Sequence, residues 1–163
     1  YWQLLLGLCT LLPAWSALVY LHSRPDLGPR LLLFLLVLIW VADSGAYFAG
    51  KRWGRIKLAP GISPGKTLEG VAGGLFGVLF CGFGWSLAMG YGPGAGLGFV
   101  LLCLLTGAVS VAGDLFESLM KRLRGLKDSG QMLPGHGGVL DRIDSLTAAG
   151  PVFAAGLLLL DLG

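Results

Sequence analysis

Charge is scarce in this chain, with 12 Lys or Arg and 9 Asp or Glu among 163 residues, 13% in all. That excludes an ordinary water-soluble surface, because soluble domains hold charge at about a quarter of their positions. Cysteine is scarcer still. Cys9, Cys81 and Cys103 form no CxxC pair and have no histidine nearby, so neither a zinc site nor a disulfide framework is expected, and each reads as a small buried apolar residue. Low-complexity tracts are absent, and no polar stretch is long enough to build a soluble core of its own. One membrane domain over residues 1–163 is the expected organisation. A net charge of +3 is too small and too localised to imply DNA, so no nucleic acid is expected as a partner.

What the chain does have is apolar surface. Hydrophobic residues make up 55%, and the mean hydropathy is +0.76. A helix needs roughly 20 mostly apolar residues to cross about 30 Å of hydrocarbon, and only helices or closed barrels satisfy their backbone groups there. Five segments qualify, at about 3–21, 30–50, 67–90, 96–113 and 145–162, and none has the alternation of barrel strands. The expected class is all-α, a polytopic membrane helix bundle of about five transmembrane helices with a polar cytoplasmic loop region between helices four and five. Pro13 falls inside the first segment, where neighbouring helices can compensate a kink. Gly70, Gly73, Gly74 and Gly77 give the third segment a small face for close helix packing.

Orientation follows from the basic residues, which hold their loops in the cytoplasm. Lys51, Arg52, Arg55, Lys57 and Lys66 lie between segments two and three, and Lys121, Arg122, Arg124, Lys127 and Arg142 between four and five. With five crossings, both loops and the N-terminus face the cytoplasm. The first apolar run has no basic leading region and is too long for a signal-peptide core, so no cleavable leader is expected. The opening on Tyr1 in place of Met is expected of a chain lacking a preceding portion.

Residues 114–145 hold ten charged side chains, close to half of all the chain has. Asp114, Glu117, Ser118, Lys121 and Arg122 form one polar stripe if the fourth helix continues past Gly113. Gly125 can end that helix, and residues 126–140, with Pro134 and several glycines, should be loop with backbone N–H groups open to an anion. Asp141 and Asp144 then lie three apart at the start of the fifth helix. Such hard carboxylates suit a magnesium ion (Mg2+), which takes one or two protein carboxylates and completes its shell with water and substrate phosphates. Asp114 and Asp141 bracketing one pocket would do this. The competing reading pairs these acids with neighbouring Lys and Arg at the membrane surface, and for Asp144 and Glu117 both readings stand. His136, flanked by Gly135, Gly137 and Gly138, fits either a phosphate or metal-adjacent role or a plain surface position.

Ser118, Lys121, Arg122, Lys127, Asp128, Gly130, Leu133, Pro134, His136, Gly137, Gly138, Asp141, Arg142 and Asp144, at these spacings, resemble the signature of the phosphatidate cytidylyltransferase (CDP-diglyceride synthase) family. A second motif agrees. Residues 41–55 and 62–70 resemble the family's other polar region, with Asp43, Ser63, Lys66 and Glu69 at its charged or hydroxylic positions. The resemblance covers about the last 125 residues, with the catalytic region near 38–145, and family members carry further N-terminal membrane helices.

The resemblance implies transfer of CMP from CTP to phosphatidic acid, giving CDP-diacylglycerol and pyrophosphate in phospholipid biosynthesis. It implies Mg2+ at Asp114 and Asp141, with a potassium ion (K+) beside it. It implies catalytic roles for Asp114, Lys121, Arg122, Lys127, Asp128, His136, Asp141, Arg142 and Asp144, and substrate binding by Ser63, Lys66, Glu69, Ser118, Gly137 and Gly138. A homodimer in a bacterial inner membrane, its active site facing the cytoplasm, completes the expectation. The chemistry is consistent: phosphatidate already presents an anionic oxygen near neutral pH, so attack on the α-phosphorus needs charge neutralisation and alignment more than a general base. The SPGK run at 63–66 is no P-loop, since the GxxxxGK[ST] frame is missing, and a substrate-positioning role is expected for it.

Three other readings compete. A transporter would place its polar residues near the midplane on interrupted helices, whereas here they gather at one interface. A CDP-alcohol phosphotransferase would show aspartates around DG and AR pairs, which are absent. A polyprenol or dolichol kinase-like user of CTP is the closer rival.

Overall fold

The structure, a computed structural model, describes residues 2–126, 129–130, 138 and 140–162. Its elements are α1 (Trp2–His22), α2 (Gly28–Trp53), β1 (Lys57–Ala59), β2 (Ser63–Thr67), α3 (Leu68–Ala88), α4 (Pro93–Leu123) and α5 (Leu140–Leu159). Each expected apolar segment is a helix. Among the described residues α2, α3 and α4 are long and apolar enough to cross a bilayer, while the apolar parts of α1 and α5 are shorter, Gly7–His22 and Ile143–Leu159. Length and composition thus support three of the five expected crossings.

The helix ends follow local chemistry. Pro29 and Pro93 occupy first-turn positions, where a missing N–H costs nothing. Thr67 caps α3, its hydroxyl accepting from the Gly70 N–H at 3.1 Å. Gly90 and Gly125 adopt left-handed φ of 67° and 65°, which lets Tyr91 N–H reach the Ser86 carbonyl (3.1 Å) and Leu126 N–H the Lys121 carbonyl (2.9 Å) as α3 and α4 stop. The 31 residues of α4 extend about 46 Å, more than the roughly 30 Å of hydrocarbon, so one end projects beyond it. That end carries the polar stripe from Asp114 to Arg122.

Small residues set the closest packing. A side chain at Gly73 would meet Ala49 Cβ at 2.3 Å, one at Gly74 the Ala42 carbonyl at 2.5 Å, and one at Gly70 the Ala46 carbonyl at 2.7 Å, so α2 and α3 lie almost backbone to backbone. Gly113 does the same between α4 and α5, where an added Cβ would stand 2.5 Å from Ala148 Cβ. The core holds Phe34, Phe99 and Phe153 in mutual ring contact, with Leu21, Leu31, Leu35, Leu38, Val78 and Leu157 fully enclosed. Outside, Trp15, Trp40, Phe76, Phe80, Leu97, Leu101 and Leu105 are exposed, as a lipid-facing surface requires. Cys103 is buried and Cys81 half-buried, but Cys9 is exposed, unlike the expectation that all three are enclosed.

Nothing in the sequence announces the hairpin. β1 and β2 pair antiparallel, Lys57 with Thr67 and Ala59 with Ser63, with an irregularity between, in a stretch expected to be loop. Contacts from outside hold it: both Glu69 carboxylate oxygens accept the Ile56 N–H at 3.1 and 3.2 Å, and Arg122 Nε donates to the Ile62 carbonyl at 3.4 Å.

Candidate functional site

The C-terminal end of α2, the hairpin, the start of α3 and the last turns of α4 enclose a cavity of about 450 Å³. Asp43, Ala46, Tyr47, Gly50, Lys51 and Gly54 line it from one face of α2, at the i, i+3, i+4, i+7, i+8, i+11 spacing of a helical stripe. The hairpin contributes Lys57, Ser63, Gly65 and Lys66, and α4 contributes Asp114. Lys66 Nζ stands 2.6 Å from Asp114 Oδ2. That contact joins the two polar motifs across 48 residues of sequence. Ser118 Oγ donates to the other Asp114 oxygen at 3.3 Å.

A second cluster sits where α4 ends and α5 begins. Lys121 Nζ lies 2.6 Å from Asp141 Oδ1 and 3.3 Å from Glu117 Oε1. Asp141 also accepts the Ser129 N–H and hydroxyl, both at 2.9 Å, and the Gly138 N–H at 2.8 Å. Burial acts to raise the Asp141 pKa, but the Lys121 ammonium and the Ser129 and Gly138 donors outweigh it and hold the carboxyl well below its usual range. Asp144 bridges the clusters electrostatically, being close enough to feel Asp114, Lys66 and Lys121, and its Oδ1 accepts the Ser145 N–H at 2.7 Å. The tight Gly113–Ala148 crossing brings α4 and α5 together at this level.

The expected site residues divide as follows. Asp114, Lys66 and Ser118 meet around the cavity, with Ser63 on its wall; Lys121, Glu117, Asp141 and Gly138 form the second cluster, and Asp144 lies between. Glu69 braces the hairpin through Ile56, and Arg122 reaches the Ile62 and Leu126 carbonyls. Lys127, Asp128, His136 and Gly137 lie outside the described residues. Arg142 belongs to the first turn of α5, and its side chain is likewise not described. Asp43 was expected at a charged position of the second motif but without a site role, and Tyr47, Lys51 and Lys57 were given none either, though an acid within an apolar helix, followed by Tyr and Lys on one face, was a readable signal.

The donor chemistry suits magnesium. Asp114 offers hard oxygens and feels a second carboxylate on Asp43, with no thiol or imidazole lining the cavity. Among the described residues no group of three or more Asp, Glu, His or Cys is gathered closely enough to hold an ion alone. Magnesium does not require one, since substrate phosphates and water supply most of its shell. Asp114 and Asp141 each already hold a separate lysine, and both Asp141 oxygens are engaged by donors.

Fold and site together define a helix bundle with membrane-spanning-capable helices and a cavity at one end whose wall carries acidic and basic side chains. The Cytidylyltransferase family matches residues 2–160, and the chain belongs to that family. It is similar to the phosphatidate cytidylyltransferase of Haemophilus influenzae, 49% identical over 161 residues that take in 93% of this chain and 56% of that one. It is similar also to that of Pseudomonas aeruginosa, 54% identical over 160 residues covering 95% and 59%. The Thermotoga maritima protein of the same name is 42% identical over 137 residues, 82% and 51%. The chain spans between 51% and 59% of the length of these curated relatives.

Proposed function

We propose that this chain transfers CMP from CTP to phosphatidic acid, giving CDP-diacylglycerol and pyrophosphate, at the cytoplasmic face of a bacterial inner membrane. The observation carrying the reading is the Lys66–Asp114 contact, which brings both polar motifs to one cavity beside the bilayer. A phosphatidate oxygen bonds to the α-phosphorus of CTP, the bond to the bridging oxygen of the β-phosphate breaks, and the electron pair leaves with pyrophosphate. No proton needs removing from the nucleophile, so the protein's task is alignment and charge. Lys66, Lys121, Arg122, Lys127 and Arg142 offset the phosphates' charge, and the Ser63 and Ser118 hydroxyls donate to them. Asp114 and Asp141 would hold the magnesium ion, Asp141 exchanging bonds to Lys121 and Ser129 to do so. When bound, that ion supplies Lewis-acid charge neutralisation at the phosphates.

Lys51, Lys57, Lys66, Lys121 and Arg122 lie at one end of the bundle, which supports the cytoplasmic orientation. Homodimerisation is part of the same proposal, and a detergent-corrected mass near twice 17.1 kDa is its expected signature. The test of function is incubation of purified chain with α-labelled CTP, Mg2+ and mixed micelles of phosphatidate or a polyprenol. Label in CDP-diacylglycerol with matching pyrophosphate release is the expected result. Phosphorylated polyprenol with no label in lipid would overturn the proposal in favour of a CTP-dependent lipid kinase.

A further inference from the structure

Where α4 ends and α5 begins, one ammonium stands between two carboxylates. Lys121 Nζ is 2.6 Å from Asp141 Oδ1 and 3.3 Å from Glu117 Oε1. The short contact is a hydrogen bond. The longer one is not: Glu117 Oε1 is buried and accepts a hydrogen bond from no described residue. The side chains of Glu117, Lys121 and Asp141 are only 13%, 16% and 12% exposed, so each needs its partner inside the protein and cannot rely on water for one. The two acids are not equally placed. Asp141 also accepts the Ser129 N–H and hydroxyl and the Gly138 N–H, whereas Glu117 Oε1 has only the misaligned ammonium nearby.

Glu117 and Lys121 lie four apart on α4 with the acid nearer the N-terminus, the favourable order for a helical ion pair. Lys121 can close on Glu117 by turning its own side chain over about half an ångström, with no backbone movement. Among the described residues, Asp141 and Glu117 are the only carboxylates within 4 Å of its Nζ. We propose that Glu117 is a positioning residue: it receives the Lys121 ammonium when Asp141 gives up that bond to face the magnesium ion. The hand-over rests on the magnesium role proposed above for Asp141 and gives Lys121 a destination. Without a second carboxylate, freeing Asp141 would strand a buried ammonium, so Lys121 would hold Asp141 closed against the ion. With Glu117 in place the exchange leaves no charge unpaired, and Lys121 stays in the cluster, where its charge still offsets the substrates' phosphates. Glu117 acts through Lys121 alone.

The test is the Mg2+ dependence of the melting midpoint of the purified full chain in detergent, without CTP or lipid, for wild type, Glu117→Gln, Lys121→Gln and the double variant. Asp141→Asn reports the effect of ions bound elsewhere. Glu117→Gln should need about tenfold more Mg2+ for half of the rise, the loss typical when a residue that orients a metal ligand is removed. Its midpoint without Mg2+ should stay at or above that of wild type, because the carboxylate it loses is buried and unbonded. A merely structural glutamate would instead lower that midpoint and leave the Mg2+ requirement alone, which would overturn the proposal. In the Lys121→Gln background Asp141 is already free, so adding Glu117→Gln should change the requirement by no more than about twofold. A tenfold loss that persists without Lys121 would mean that Glu117 attracts the ion by its own charge, and the hand-over would fall. It would fall equally if the wild-type midpoint responded to Mg2+ no more than that of Asp141→Asn. Because no substrate is present, the result is separable from the reaction. A Glu117→Gln chain with a wild-type Mg2+ requirement, beside intact CMP transfer to phosphatidate, removes the hand-over and leaves the reaction. A Lys121-dependent loss without transfer to phosphatidate does the reverse.

Discussion

Asp114 holds two partners at once, the Lys66 ammonium at 2.6 Å and the Ser118 hydroxyl at 3.3 Å. Asp114→Asn keeps the volume and removes the charge, so Lys66 is left without its counter-ion and the cavity without the carboxylate proposed to hold Mg2+. CMP transfer should fall by about a hundredfold or more in kcat/KM while the melting midpoint stays close to wild type; turnover within a few-fold of wild type removes Asp114 from the site. Asp141 supports a prediction about pH. Its pKa in the folded chain is depressed, so its contribution to stability is fully present above the unfolded value near 4 and is lost as pH falls through the folded value. The gap in melting midpoint between wild type and Asp141→Asn should therefore be level from pH 7 down to about 4 and narrow below it. A gap that closes between pH 7 and 5 contradicts the Lys121, Ser129 and Gly138 contacts. Both acids are legible in the sequence because each stands where an apolar run meets a polar one, the place where a carboxylate needs a partner. Glu69 reads from sequence as a substrate ligand, and its bond to Ile56 N–H is not legible there, because the hairpin that presents that N–H has no alternating pattern to announce it.

The seam between α2 and α3 gives the clearest contrast among the elements. An added methyl at Gly73 meets Ala49 Cβ at 2.3 Å, whereas at Gly84, further along α3, it meets nothing within 4 Å. Gly73→Ala should cost about 1–3 kcal/mol, because the helices must separate to admit it. Gly84→Ala should be neutral or stabilising by up to about 1 kcal/mol, since alanine is the better helix former. Thermal or denaturant unfolding in micelles measures both, and equal effects would remove the close-packed seam. Here the sequence is informative, since the spacing of Gly70, Gly73, Gly74 and Gly77 alone marks a packing face. The hairpin is hidden for a physical reason: three- and five-residue strands over 57–67, KLAPGISPGKT, carry too little apolar surface to form alone, and Glu69 and Arg122 reach it from α3 and α4. Such tertiary support has no local signature. It follows that Glu69→Ala should act through the hairpin, raising KM for CTP as Lys66 and Lys57 lose their placement, with kcat changed less; an unchanged KM would show that the hairpin keeps its shape without the brace.

At the scale of the whole molecule the chain turns a soluble protein's pattern outward, with large apolar side chains both in the core and on the rim, and most of its charge gathered at one end. The number of helices and the polar end are legible because a bilayer imposes length and composition on every segment that crosses it. Which side of each helix meets lipid is not, since an all-round apolar helix looks the same from every face in sequence, and only the packing of α2 against α3 and of α4 against α5 decides it. Two tryptophans separate those faces. Trp40 on α2 is 64% exposed, pointing away from the bundle, whereas Trp85 on α3 lies 4.5 Å from the Phe34 ring, centroid to centroid, inside the aromatic cluster. Single-tryptophan variants retaining Trp40 or Trp85, placed in bilayers with brominated acyl chains, should differ sharply, because quenching by bromine requires near contact. Trp40 fluorescence should fall strongly as brominated lipid replaces ordinary lipid, and Trp85 fluorescence should change little. Comparable quenching of both would mean that lipid reaches the Phe34 cluster, and the inward packing of Phe99 and Phe153 on it would have to be given up.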